Sequence, residues 1–300
     1  MNIKRKSLFS GFTFKKWRNL ILAAIVCFSF IYIFAIISIG LIGDDFVAYW
    51  SAGRISIEKG FSQIYDLDNL REIYSNEIVA QGFSFDISNK TYSVPYLPVF
   101  VLPFQLLARV ALPTSYWIWN ILNLLILVGY LIFFLKRIKS ENEVARNFLY
   151  LLVLVLISNP VIKNLASGNV NVFLLISTGE FLRNAVNKKP FLSGLWLGGL
   201  LLKPPMLILI IPIFFIKGNW GVLKGFIVSS VVILLSSVLL AGIDGMKDLV
   251  DLWIKYPGDT FSNTAPEFMI NWRMIGYNLT NQFYLPFGWA ITVLGMILTM

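Results

Sequence analysis

No histidine occurs anywhere in the 300 residues, and the single cysteine, Cys27, sits inside the first apolar run. That removes imidazole acid–base catalysis, Cys/His metal sites and intrachain disulfides. Charge is scarce as well: Asp, Glu, Lys and Arg make up 14% of the chain. The few acids on the side that carries the polar loops are too sparse to cage a metal with oxygen ligands, so neither metal nor cofactor is expected. Chemistry must then come from Asp, Glu, Lys, Arg, Asn or Tyr. Apolar residues fill the rest, at 57%, too many for a soluble domain and expected of a polytopic membrane protein. A net charge of +9 would suggest a nucleic-acid partner in a soluble chain. Here the placement of the basic residues points to membrane topology, and no nucleic acid is expected.

Lys4, Arg5, Lys6, Lys15, Lys16 and Arg18 precede an apolar run from about 19 to 42. It exceeds the roughly 7–15-residue core of a secretory signal and ends without an Ala-x-Ala site, so it reads as a retained first span, amino terminus inside. Further apolar stretches cover 116–135, 147–162, 170–182 and 221–243, and 190–216 is broken at Lys203-Pro204-Pro205. A last run begins near 287 and is still apolar at Met300, which points to a chain cut short within a span. Residues 94–113, VPYLPVFVLPFQLLARVALP, hold four prolines and an arginine. Counting them as a crossing would put Lys136, Arg137, Lys139 and Arg146 outside, against the positive-inside bias. A re-entrant or interfacial element is expected there instead. With that choice, fifteen of the 25 Lys and Arg residues fall inside with three acids, Glu141, Glu143 and Glu180. The outside owns a long loop from 43 to 115, a turn near 164–170, the Lys-Pro-Pro break and a loop from 244 to 286. The fold expected is a single all-α, multi-pass transmembrane domain over residues 1–300.

The outer loops carry helical periods. Phe46, Tyr49, Trp50, Gly53 and Ile57 make one stripe that ends before Gly60; Leu70, Ile73, Tyr74 and Ile78 repeat it up to Gly82. Met246, Leu249, Val250 and Trp253 form an apolar face within 244–258. Three short amphipathic helices resting at the membrane interface are expected.

Four constellations among these loops can carry chemistry. Asp44-Asp45 opens the first outer helix. Capping needs only one carboxylate, so the division expected is Asp44 as cap and Asp45, beside Phe46, as general base. NPVIKNLASGNVN, 159–171, is either a plain turn or a polar floor able to touch a sugar. Lys203, in an apolar run, either snorkels to the interface or holds a lipid-linked phosphate. Arg273, in NWRMIGYN (271–278), pairs either with a phosphate or with Asp244, Asp259 or Glu267.

DFVAY (45–49), GFSQIYD (60–66), YLPVFVLPFQLLARVALP (96–113) running into WIWNILN (117–123), NPVIKNLASGNVNVFLL (159–175), LSGLWLGGLLLKPPMLIL (192–209) and NWRMIGYN occur in this order. Together they resemble glycosyltransferase family 87, polytopic enzymes of the GT-C class related to polyprenyl-phosphate-mannose-dependent mannosyltransferases. The resemblance covers roughly residues 20–280. It implies a GT-C-like transmembrane helical bundle, with amphipathic and re-entrant helices in its first outer loop. It also implies inverting transfer of a hexose, mannose being the family's, from a polyprenyl-phosphate donor to a glycan or lipid acceptor. The family's catalytic aspartate falls on Asp45, its Gly-polar-Val-Asn turn on Gly168, Asn169, Val170 and Asn171, and its Lys-Pro motif on Lys203. Where this chain has Asn169 the family commonly has Gln. Asp45 with Asp44 is then the catalytic pair, and Lys203 with Arg273 the phosphate site. Tyr49, Gly168, Asn169, Asn171 and Asn271 form the sugar- and acceptor-binding set. The place implied is the cell membrane, with the active site facing out of the cytoplasm toward the envelope. The alternative is a non-catalytic membrane carrier or assembly subunit for lipid-linked sugars.

Overall fold

The computed structural model describes residues 43–78, 94–137, 152–204, 207–255, 275–276, 279–280 and 288–299. The first apolar run with Cys27, the basic amino terminus, most of the second basic cluster, the tail at Met300, Asn271 and Arg273 lie outside the described residues. Among those described there is no strand. The elements are α1 (Asp44–Glu58), a 3-10 turn (Phe61–Gln63), α2 (Leu67–Ile73) leading into a π turn (Tyr74–Ile78), and a 3-10 turn (Pro98–Val101) continued by α3 (Leu102–Leu107). Then come α4 (Leu112–Arg137), α5 (Asn159–Ser167), α6 (Asn171–Val186) and α7 (Pro190–Leu197), which a 3-10 turn (Gly198–Leu202) extends. The last are α8 (Leu207–Ile216), α9 (Trp220–Lys255) and α10 (Gly288–Thr299).

Two of these are long and apolar enough to cross a bilayer. The 26 residues of α4 give about 39 Å of helix, against a hydrocarbon core of about 30 Å. Ile121 and Leu125 project from it exposed, at 54% and 63%, an apolar surface suited to lipid. The 36 residues of α9 exceed a single straight crossing. Gly242 breaks the helix with φ 70° and ψ −179°, a conformation closed to residues with a side chain. Residues 220–241 are therefore the part long enough to cross, about 33 Å, with Val231, Leu235 and Leu239 outward. Beyond the break, 243–255 is the separate helix the sequence suggested, but its buried side runs through Leu249 and Leu252 while Val250 and Trp253 stay exposed. The Trp253 indole donates to the Pro95 carbonyl at 3.0 Å. Pro98–Leu107 gives ten helical residues, about 15 Å and half a crossing.

The first outer helix departs from expectation. Phe46, Tyr49 and Trp50 are buried, but so are Val47, Ala48, Ser51, Ala52 and Ile55, while Ile57 at the end of the stripe is exposed. Thus α1 is buried all round from Phe46 to Gly53 rather than along one stripe. Its small residues let neighbours close around it: Phe104 of α3 stands 6.2 Å from the Phe46 ring and 4.7 Å from the Tyr49 ring. The Trp50 indole donates to the Val110 carbonyl at 3.1 Å. The second expected helix does keep one buried face, Leu70, Ile73, Tyr74 and Ile78. Ion pairs from Arg54 to Glu77 (3.0 Å) and from Lys59 to Glu72 fasten it to α1.

Candidate active site

The site is assembled around the corner between α5 and α6. The sequence suggested a turn from about 164 to 170; the helix runs on to Ser167, and the turn is confined to Gly168–Val170. Pro160 suits the start of α5, where its missing N–H would be unpaired in any case. Gly168 ends that helix in the left-handed region, φ 66° and ψ 32°. A Cβ on Gly168 would lie 2.6 Å from the Phe46 Cβ and 3.1 Å from the Tyr116 ring, so glycine is required twice over. The corner is held from α4: the Trp119 indole donates to the Gly168 carbonyl at 2.7 Å. The Tyr116 hydroxyl stands 2.6 Å from the carbonyl of Ala166 and 2.9 Å from that of Leu165. Buried Asn164 accepts from the Asn171 backbone N–H at 3.2 Å, which satisfies one of the free donors opening α6.

The start of α1 meets the same corner backbone to backbone, since a Cβ on Gly43 would fall 2.2 Å from the Ser167 Cα. That contact delivers Asp45. Its Oδ2 accepts from the Asn169 Nδ2 at 2.6 Å. The Asn169 Oδ1 accepts from the Val170 N–H at 2.7 Å and from the Lys203 Nζ at 3.4 Å. Lys203 also donates to the Asn171 Oδ1 at 2.8 Å. This orientation of the Asn169 amide sets N–H against a carboxylate and C=O against an ammonium. The reverse would oppose both charges. Lys203 reaches the corner because the 3-10 turn of residues 198–202 ends there, with φ −132° and ψ 80° at Lys203 itself.

Burial holds the Asp45 carboxyl above the usual carboxylate range, against the opposing pull of the Lys203 charge and the Asn169 hydrogen bond. Burial likewise holds Lys203 below the usual lysine range, and the Asp45 charge opposes it. One wall of the site is aromatic. The Tyr49 and Tyr96 hydroxyls are 3.2 Å apart, and the Tyr96 carbonyl accepts from the Tyr65 hydroxyl at 2.5 Å. Burial pushes the Tyr96 phenol up to about 12, with a further push from the Asp45 charge. Tyr49 is pushed well above the usual phenol range by burial first, then by Tyr96 and Asp45. Both phenols stay neutral across the range in which Asp45 titrates.

Of the residues singled out in the sequence, Asp45, Tyr49, Gly168, Asn169, Asn171 and Lys203 come together here. Asp44 is the first residue of α1 and Gly43 its N-cap, so the capping position expected of Asp44 falls one residue earlier. Nothing is described of the Asp44 side chain, and Asn271 and Arg273 lie outside the described residues. Two participants were missed. Tyr96 stood in view in the Tyr-x-Pro segment, but only its meeting with Tyr49 brings it to Asp45. Asn164 passed for a turn residue, and its role depends on α5 continuing past it.

The family model for glycosyltransferase family 87 matches residues 94–300. The match takes in the α5–α6 corner and Lys203, while Asp45 lies upstream of it. No curated protein and no solved structure matches the chain.

Proposed function

The chain belongs to glycosyltransferase family 87, and from that premise we propose that it is a GT-C-type membrane enzyme. It transfers a hexose, mannose being the first to test, from a polyprenyl-phosphate donor to a glycan or lipid acceptor on the extracytoplasmic face of the cell membrane. The observation that carries this reading is that Asp45 and Lys203 share one amide, Asn169. A base and a cation stand side by side at a corner between apolar helices, where a lipid-borne phosphate and a polar acceptor can meet.

The residues divide the work as follows. The acceptor hydroxyl attacks the anomeric carbon from the face opposite the phosphate, and its proton passes to the Asp45 carboxylate. The bond from the anomeric carbon to the phosphate oxygen breaks, and the electron pair leaves with the polyprenyl phosphate. Configuration inverts, and Lys203 offsets the charge on the departing phosphate. Arg273 is the second cation proposed for that phosphate, with Asn271, Asn171 and Tyr49 toward the sugar and acceptor. Burial raises the basicity of Asp45, which suits a base that must take a hydroxyl proton near neutral pH. A carrier would place unpaired ionisable groups along its spans. Buried Glu180 in α6 is instead paired with Arg183 one turn on, its Oε2 2.8 Å from the Arg183 Nε, which favours the enzyme over the carrier.

The test uses the full chain in membranes, with labelled polyprenyl-phosphate-mannose and an envelope extract as acceptor. Asp45→Asn should lower transfer by about 10²–10⁴-fold at unchanged protein level. An inactive Asp44→Asn beside an active Asp45→Asn would move the base to Asp44. Full activity in both would end the carboxylate mechanism.

A further inference from the structure

The sequence assigned Asn169 to sugar binding, but its amide is already engaged. The Oδ1 accepts from Val170 N–H and Lys203, and the Nδ2 donates to Asp45. A carbonyl oxygen has two lone pairs and both are used, leaving one N–H for anything else. Asn169 is also fixed on both sides in the chain: Gly168 before it is locked in the left-handed region, and Val170 after it is buried. A side chain so held and so occupied is built to connect its two charged neighbours.

We propose that Asn169 is a positioning residue whose amide holds the Asp45 carboxylate and the Lys203 ammonium as one linked unit, so that an anionic phosphate seated on Lys203 is sensed at Asp45. This deepens the reading above and rests on it. Among the described residues the groups facing Asp45 are few: Lys203 from the 3-10 turn after α7, Asn169 from the corner, Tyr49 on its own helix and Tyr96 from the segment before α3. The phenols stay neutral, so among the described residues the charge Asp45 feels is that of Lys203. In the empty site that charge favours the ionised carboxylate. When a phosphate pairs with Lys203, the ammonium's field is cancelled and Asp45 holds its proton more tightly. The base is strengthened only once the donor is present, and an unoccupied site carries a weaker one. By linkage the coupling is reciprocal: proton uptake at Asp45 and phosphate binding at Lys203 favour each other.

The test needs no sugar and no acceptor. The full chain is placed in phosphatidylcholine nanodiscs, and the infrared carbonyl band of protonated Asp45, identified by its loss in Asp45→Asn, is titrated with and without undecaprenyl phosphate. In the wild-type protein the band should appear at a pH higher by about one unit when undecaprenyl phosphate is bound, as the loss of one favourable charge interaction predicts. Asn169→Ala should raise the unliganded titration by about one unit, through loss of the hydrogen bond to the carboxylate. It should also cut the ligand-induced change to less than half. Asn169→Gln, which keeps both amide functions, should restore most of that change. Should Asn169→Ala misfold, Asn169→Asp has nearly the same shape. It sets a second carboxylate against Asp45 and should raise the titration further than alanine does. Titrations identical to wild type in Asn169→Ala or Asn169→Asp would overturn the proposal and leave Asn169 a turn residue. Phosphatidylglycerol in place of undecaprenyl phosphate should leave the band where it was; an equal change with it would show general anionic-lipid binding and overturn donor sensing. An active Asp45→Asn enzyme would remove the base reading while this coupling still stood, so the two failures are separable.

Discussion

Replacing Lys203 by methionine removes an ammonium that donates to Asn171 at 2.8 Å and to Asn169 at 3.4 Å. The group has three N–H donors; among the described residues two are engaged, by Asn171 and Asn169, and the third is the one proposed for an incoming phosphate. Loss of one charge-assisted hydrogen bond costs about 1.5–3 kcal/mol, or about 10–150-fold in donor affinity. Misfolding would not explain such a loss. Burial holds Lys203 below the usual lysine range, so its charge opposes folding at neutral pH. Any stability the group contributes lies above the unfolded lysine value and is lost as pH falls through the folded one. Methionine keeps the apolar stem, drops that charge, and should fold at least as well. Arginine keeps the charge on a wider, planar head and should retain part of the activity. The assay is the donor KM for labelled polyprenyl-phosphate-mannose in membranes matched for protein level, with melting temperatures measured beside it. A Lys203→Met enzyme with wild-type KM and rate would refute the phosphate role and leave Lys203 as a snorkelling residue.

Two further outcomes follow from the same corner. Since burial raises the Asp45 carboxyl above its unfolded value of 3.8, ionising it opposes folding, and stability is lost as pH rises from that value through the folded one. Asp45→Asn cannot titrate there, so its melting temperature should gain on wild type across that window; parallel curves would show that Asp45 is not held in a dry place. Gly168→Ala meets both the left-handed φ of 66° and the Phe46 Cβ at 2.6 Å. It should cost about 1–2 kcal/mol from the backbone alone, lower the melting temperature by several degrees, and reduce transfer through the displaced Asn169. Wild-type stability and activity in that variant would mean the corner is not the scaffold of the site.

The parts of the fold that could be read beforehand are those where one physical rule acts alone. Apolar length picks out α4 and the longer half of α9, the two stretches long and apolar enough to cross a bilayer. Four prolines and an arginine argue against a regular span at 94–113, and the segment forms two short pieces, Pro98–Val101 and Leu102–Leu107. The outer helix after 243 was separable because Asp244, Lys247 and Asp248 change the composition there, though Gly242 supplies the actual break. What could not be read is enclosure. A stripe through Phe46, Tyr49 and Trp50 says which side of α1 is apolar. It is silent on whether Val47, Ala48 and Ala52 face lipid, water or other helices. Small apolar residues are compatible with all three, and only the packing of α3 and α4 decides. The site shows the same division. Residue type picked out Asp45, Asn169 and Lys203, each unusual where it stands. That they share one amide depends on Gly43 touching Ser167 and on a 3-10 turn ending at Lys203, contacts between segments far apart in the chain.

The spacing of those three side chains also explains why an amide is useful between a base and a cation. A carboxylate and an ammonium in direct contact would each satisfy the other. The carboxylate would hold its negative charge more readily and so become a weaker base, and the ammonium would have fewer donors to offer a phosphate. Asn169 gives each charge a neutral partner instead, its N–H toward Asp45 and its C=O toward Lys203. Burial can then push the carboxyl up and the ammonium down, against only partial mutual compensation. Both groups are costly to hold this way, and the surrounding structure absorbs that cost with parts that do no chemistry: the Trp119 and Tyr116 bonds to the corner, the glycine at 168, and the aromatic packing of Phe46 against Tyr116 at 5.3 Å. Stability is given up at the charged pair and recovered in the corner that frames it.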